Sequence, residues 1–206
     1  MTTNESAAPA AVGDPELLDR RAVHSTSGSV TGMVVFVASE AVFFAAFLGI
    51  WATSYAAAKV WPPAGIAGPG LVVPTIGIVV LLASGAAMGQ AMRYTHRPEY
   101  PRSVIPWMAA ALACAVAFGV LLAIGYAAIP FGVGQGIYES LFYMIIGLEL
   151  AHIVGGAVLL AVVLARAGTG ELALRRDPVQ SAAIYWYFVV GLGVVIYAVL
   201  YLGGIR

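Results

Sequence analysis

Five long apolar segments are the feature of this sequence that most constrains its fold. They cover approximately residues 29–58, 71–93, 104–129, 136–166 and 180–202. Each can cross the hydrocarbon core of a bilayer, which takes about 20 residues of helix. The connections contain Pro, which cannot continue a helix, and Gly, which weakens one. The sequence therefore predicts an all-α polytopic membrane protein, a bundle of five transmembrane helices.

The composition agrees with a membrane protein and excludes several other classes. Hydrophobic residues make up 61% of the chain and charged residues 10%, whereas about 25% of an ordinary soluble domain is charged. The formal net charge is zero, so no nucleic-acid partner is expected. A single cysteine, Cys114, allows no disulfide within the chain. We expect residues 1–28 to form a cytoplasmic tail and residues 29–206 to form the transmembrane domain.

The distribution of cations predicts the orientation, because Lys and Arg collect on the cytoplasmic side of a membrane. An N-terminus inside the cell leaves only Lys59 and Arg206 on the outer side. The other eight of the ten cations then lie on the inner side: Arg20, Arg21, Arg93, Arg97, Arg102, Arg166, Arg175 and Arg176. The chain is therefore predicted to be a multi-pass protein of the cell membrane with its C-terminus outside. Aromatic residues near segment ends, among them Trp51, Trp61 and Tyr185, are predicted to anchor the lipid interfaces.

Few ionisable groups lie deep inside the segments. Glu40 and Glu149 are near mid-membrane, and His152 is the one histidine within a segment. An ionised carboxylate there costs several kcal/mol unless it is paired or protonated. Glu149 and His152 form an E-x-x-H pair, a spacing found in di-iron bundles, but the second such pair that a di-iron site needs is absent. We therefore expect no metal site, no haem ligation and no catalytic residue in this chain.

Two other functions remain open from the residues alone: stand-alone transport or scaffolding, and association with partner proteins. A stand-alone transport or scaffold protein could use the buried carboxyls, although five segments do not divide into the inverted repeats of a typical transporter. Association with partners is favoured by small residues at four-residue spacing, which let helices approach closely. These residues are Ala45 and Gly49, Gly85 and Gly89, and Gly147, Ala151 and Gly155.

Several motifs resemble subunit III of haem-copper terminal oxidases, the cytochrome c oxidase subunit III family. FVASEAVFF, residues 36–44, is similar to the F-x-x-S-E-x-x-F-F motif of that family. LLASGAAMGQAMR in the second segment resembles the next helix of the family. FYMIIGLELAHIVGG, residues 142–156, resembles its F-Y-x-x-T-G-x-H-x-x-H-V-x-x-G run, and YWYFVVGLG near the end resembles its Y-W-H-F-V-D-x-x-W helix. The resemblance extends from residue 30 to the end and matches the five-helix form of the family.

The chain departs from the family motifs at several polar positions. Glu149 stands at the position of the first His of the fourth segment, while the second His is kept as His152. In the last segment, Tyr187, Val190 and Gly193 stand at the positions of His, Asp and Trp.

The resemblance implies a buried polar cluster with a structural or proton-related role, formed by Ser39, Glu40, Glu149, His152 and Tyr187. Two close carboxyls in a low dielectric cannot both ionise. We therefore expect a hydrogen bond that links Glu40 and Glu149 to each other or to His152. The alternative, in which each acid bonds a separate neighbour, is equally open.

The resemblance also implies the function. The chain would be a non-catalytic subunit of a respiratory oxidase, whose complex passes electrons to O2 and pumps protons. It would bind phospholipid and support proton uptake and the stability of catalytic subunit I, while haem and copper would be held by the partner subunits. A separate small membrane subunit is a further expected partner. The alternatives are an accessory subunit of a nitric oxide reductase or a quinol oxidase, or the stand-alone membrane protein considered above.

Overall fold

A computed structural model of the chain describes residues 15–169 and 176–203, with side chains from residue 28 onward. Its five long helices are Pro15–Ala57 (α1), Val72–Tyr94 (α2), Ile105–Ala127 (α3), Ile137–Gly168 (α4) and Asp177–Ile196 (α5). The last helix continues as a π-helical segment, Tyr197–Leu202. No strand occurs in the described residues. The predicted all-α bundle is confirmed, and all five helices are long and apolar enough to cross a membrane.

The helix ends follow from local chemistry. Pro is tolerated in the first helical turn, where its missing N–H would have no partner in any case, and it stands at the first or second position of α3 and α5. In α4, Glu139 lies in the first turn and Arg166 in the last, which complements the partial charges of the helix termini. With the π-helical segment counted as part of the last helix, the predicted segment limits differ from those observed by three residues or fewer. The exception is α1, which begins at Pro15, inside the predicted tail.

The α5 helix occupies the centre of the bundle. It packs against α1, α2 and α4, while α3 packs against α2 and α4, and α1 packs against α4 and α5. In the most apolar stretch of α5, 44% of the residues are buried, whereas in the corresponding stretch of α1 only 6% are buried. The α1 helix therefore presents most of its apolar surface outside the described bundle.

The small residues predicted at helix contacts have different surroundings. A β-carbon added at Gly85 would lie 3.2 Å from Val190 Cγ1, and one at Gly155 would lie 3.3 Å from the Tyr185 hydroxyl. At Gly49 no atom lies within 4 Å of such a carbon. Small residues therefore bring α2 and α4 close to α5, whereas the Gly49 face of α1 contacts no other described helix.

A cluster of aromatic rings corrects the predicted lipid anchors. Trp51 and Trp61 are each only 2% exposed, and their rings meet edge to face with centroids 5.0 Å apart. Tyr138 packs against both rings. The prediction that these two tryptophans face lipid is therefore wrong. The connection after α1 folds back and places Trp61 against Tyr138, in the first turn of α4.

Candidate functional site

Glu40 on α1 and His152 on α4 form the polar contact at the centre of the candidate site. Glu40 Oε2 lies 3.1 Å from His152 Nε2. Their side chains are 23% and 13% exposed, respectively. Since 112 residues separate the two in the sequence, the contact exists only because α1 packs along α4. It brings together two of the five predicted cluster residues.

The other nitrogen of His152 determines how protons are arranged in this contact. His152 Nδ1 lies 2.8 Å from the Leu148 carbonyl oxygen. A carbonyl only accepts hydrogen bonds, so Nδ1 carries a proton and donates it. The hydrogen bond between Nε2 and Glu40 Oε2 then holds one further proton, on the carboxyl or on the imidazole. Glu40 and His152 therefore form an acid–base pair that shares one proton.

Aromatic side chains enclose the His152 ring. Phe44 meets it edge to face at 5.1 Å between centroids, and Tyr185 lies parallel to it at 6.5 Å. The Tyr185 hydroxyl donates a hydrogen bond of 3.0 Å to the His152 carbonyl oxygen. Tyr185 was predicted to be an interface anchor, but it is only 8% exposed. It is therefore a buried part of the site, which the sequence analysis missed.

Two predicted cluster residues lie away from this pair. The Ser39 hydroxyl donates to the Phe36 carbonyl oxygen of its own helix at 2.6 Å, and its residue is exposed. Tyr187 is 43% exposed, and its hydroxyl lies 3.4 Å from the position of a β-carbon on Gly89. Neither makes a hydrogen bond with Glu40 or His152 in the described part of the chain.

Glu149 occupies a different interface from Glu40. It is 3% exposed, and its Oε1 lies 2.8 Å from the position of a β-carbon on Gly193 of α5. The hydrogen bond predicted to link its carboxyl to Glu40 or to His152 is not formed among the described residues. The reason is packing: α1 lies against the His152 side of α4, whereas Glu149 faces α5 and the Leu81 side of α2.

A second buried polar contact joins three helices. The indole N–H of Trp186 donates to Ser84 Oγ at 2.9 Å, and the Ser84 hydroxyl donates to the Ala111 carbonyl oxygen at 2.7 Å. Both side chains are fully buried. This chain of hydrogen bonds connects α5, α2 and α3. The LLASGAAMGQAMR motif contains Ser84, but the sequence alone does not indicate its hydrogen-bond partners.

Comparison with known proteins identifies the family of the chain. Residues 13–205 match the family model described as cytochrome c oxidase subunit III. The chain belongs to the cytochrome c oxidase subunit III family. It is 31% identical to "Cytochrome c oxidase subunit 3" of Pongo abelii and 30% identical to that of Sus scrofa, over 84% of this chain and 69% of each relative. With the protein of that name from Pylaiella littoralis it shares 30% identity over 77% of this chain and 60% of the relative. The chain thus spans about 60 to 69% of the length of these relatives.

Membership in the subunit III family makes the chain part of an oxidoreductase complex of the respiratory chain and a multi-pass membrane protein. Among residues 28–169 and 176–203, no group of three or more His, Cys, Asp or Glu side chains is arranged to hold a metal ion.

Proposed function

We propose that this chain is the non-catalytic subunit III of a respiratory haem-copper oxidase that reduces O2 and pumps protons. The observation that carries the proposal is the family match over residues 13–205, which includes all five helices. In this assignment the partners are catalytic subunit I and other oxidase subunits, which hold the haem and copper. The complex lies in the cell membrane, with the N-terminus of this chain in the cytoplasm.

The proposed contribution to proton uptake is supported by the Glu40–His152 pair. Its two groups share one proton at 3.1 Å between Oε2 and Nε2. Both side chains are also partly exposed, so the pair is accessible to a partner subunit that could accept or supply its proton.

The proposed lipid binding is supported by a groove between α1 and α5. Its volume is about 310 Å³, and it is open to the side of the bundle. Apolar side chains, including Phe44, Leu48 and Phe188, line it together with Ala41 and Ala45. An acyl chain of a phospholipid matches this lining, because close packing of hydrocarbon against apolar side chains gains dispersion contacts.

The test of oxidase membership is purification of the tagged chain from its native membrane in mild detergent. Haem absorbance and the catalytic subunit should elute with the tag, and an untagged preparation should retain neither. The oxidase purified from a strain that lacks this chain should keep its haem spectrum but lose activity sooner during turnover. Elution without haem would reject oxidase membership, and loss of haem from the complex lacking this chain would reject the non-catalytic role.

The test of lipid binding uses two neighbouring alanines of α1. Ala45 lines the groove, whereas Ala46 does not line it and is exposed. Ala45→Phe should reduce the phospholipid that mass spectrometry finds in the purified complex, and Ala46→Phe should leave it unchanged. Equal lipid content in both variants would show that this groove is not the lipid site.

A further inference from the structure

The Glu149 carboxyl is buried and takes no part in the contact between Glu40 and His152. It is 3% exposed, and no hydrogen bond or ion pair reaches it within the described part of the chain. Gly193 makes room for it, because a β-carbon at that position would lie 2.8 Å from Oε1. Buried polar groups almost always have a partner, which is either another protein group or an ordered water molecule.

The carboxyl faces a small cavity at the interface of α2, α3 and α5. This cavity has a volume of about 20 Å³, whereas one water molecule needs roughly 10–15 Å³. Its walls are formed by Pro74, Ile78, Phe118, Leu122, Glu149, Gly193, Ile196, Tyr197 and Tyr201. The space next to the carboxyl is therefore sufficient for one water molecule.

Two further cavities lie between this space and the end of the bundle. A cavity of about 10 Å³ shares Pro74, Phe118, Leu122 and Tyr201 with it. A third cavity, of about 190 Å³, shares Pro74 and Tyr201 with both and extends to residues 69–70 and 128–130, where the loops begin. The three cavities thus form a row along one face of Tyr201, from the loop end of the bundle to Glu149.

The walls near Glu149 contain few polar groups. Besides Glu149, the lining residues with a polar side chain are Tyr197 and Tyr201. The hydroxyl of Tyr197 lies 2.6 Å from Thr75 Oγ1. Both tyrosines belong to the π-helical segment, and their rings stack at 5.8 Å. The residues that α2 and α3 contribute to the inner cavity are apolar. The Glu149 carboxyl is therefore the main polar group available to a water molecule there.

We propose that Glu149 is a proton-exchanging site that water reaches through this row of cavities. The carboxyl O–H bond breaks as its proton passes to a lone pair of the cavity water, and the carboxyl regains a proton from the same water. No electrons are transferred, and no other reactant is needed. The site is separate from the Glu40–His152 pair and does not depend on the oxidase assignment.

Infrared spectroscopy of the full chain in lipid vesicles tests this proposal. A protonated carboxyl gives a carbonyl-stretch band that shifts when its proton is replaced by deuterium. The band should disappear in Glu149→Gln and persist in Glu40→Gln. Should Glu149→Gln fail to fold, Glu149→Asp should move the band instead. A band that is unchanged in both Glu149 variants would overturn the proposal.

Two glycine variants test the path itself. Gly125 lines the two outer cavities, and a β-carbon there would have only an ordinary contact, 3.8 Å from Val73 Cγ1. Gly125→Leu should fill the path and slow the exchange in heavy water by at least about tenfold, a change of 1.36 kcal/mol in the barrier. Gly49→Leu, on the open face of α1, should exchange like the unmodified chain. Equal rates in all three chains, or no exchange in the unmodified chain, would show that the cavities do not conduct protons.

Discussion

At the residue scale, the proton shared by Glu40 and His152 determines which substitutions are tolerated at these two positions. Because Nδ1 already donates to the Leu148 carbonyl, only Nε2 is available to Glu40. A side chain at position 40 must therefore donate to a neutral imidazole or accept from a charged one. Glutamate can do either, depending on where the shared proton lies.

Glu40→Gln should be tolerated, because its amide N–H can donate to Nε2, whereas Glu40→Ala should loosen the packing of α1 on α4. A double-mutant cycle with His152→Ala should give a coupling free energy of about 0.5–3 kcal/mol, measured by thermal unfolding in lipid bicelles. Ser39→Ala, at the exposed neighbouring position, is the control. Equal stability of the Gln and Ala variants would mean that the hydrogen bond does not stabilise the bundle.

At the element scale, buried hydrogen bonds and one loop contact fix how the helices are arranged. Ser84 on α2 accepts a hydrogen bond from Trp186 on α5 and donates one to the Ala111 carbonyl oxygen on α3. At the ends of the helices, the guanidinium of Arg176 lies 5.8 Å from the ring centre of Tyr100, and its Nη1 lies 3.4 Å from His96 Nδ1. This contact connects the α2–α3 loop to the start of α5, outside the apolar part of the bundle.

Ser84→Ala should destabilise the bundle by about 1–3 kcal/mol, because the buried indole N–H of Trp186 loses its acceptor. Thermal unfolding of the purified chain measures this loss. Thr53→Ala is a suitable control, since Thr53 is bonded only to the backbone of its own helix. An equal effect of both substitutions would show that the contact between helices contributes nothing beyond a local hydrogen bond.

The Tyr100 contact predicts a pH dependence. Burial raises the pKa of the Tyr100 hydroxyl above its ordinary value of 10.0, and the charge of Arg176 opposes this rise. The stability contributed by neutral Tyr100 is therefore complete below pH 10 and is lost as the pH rises through the raised pKa. Arg176→Ala should raise this pKa further, which NMR titration of isotope-labelled tyrosine can follow. A lower pKa in the variant would contradict the contact.

At the scale of the whole molecule, the cation count predicts which end of the bundle faces the cytoplasm. Arg20, Arg21, Arg175 and Arg206 lie outside the residues whose side chains the structure describes, so this prediction depends on the sequence. Ala67, in the loop before α2, and Arg97, in the loop after it, are both exposed. Both positions therefore suit labelling with a thiol reagent. They are separated by one transmembrane helix, α2, and so lie on opposite sides of the membrane.

With Cys114 replaced by Ala, Ala67→Cys should react with an impermeant thiol reagent in intact cells. Arg97→Cys should react only after the membrane is opened, because its loop is predicted to be cytoplasmic. Mass spectrometry of the labelled chain reads out both. The reverse pattern would mean that the orientation is wrong.

The sequence by itself determined the number of helices, their limits to within a few residues and the family. Apolar length and Pro or Gly breakers act locally, and in a bilayer every backbone polar group must be paired within its own helix. These properties need no knowledge of neighbours. The motifs around Glu40 and His152 likewise indicated two residues that the fold brings together.

Only the tertiary structure decided which side chains meet. All the apolar helices of this chain look alike in composition, and their hydrophobic faces do not distinguish lipid from protein. The sequence therefore could not separate buried Trp51 from a lipid anchor, or the interface of Glu149 from that of Glu40. Those distinctions arise from the packing of α1 against α4 and α5, and of α5 against α2 and α4, which depends on contacts between residues far apart in the chain.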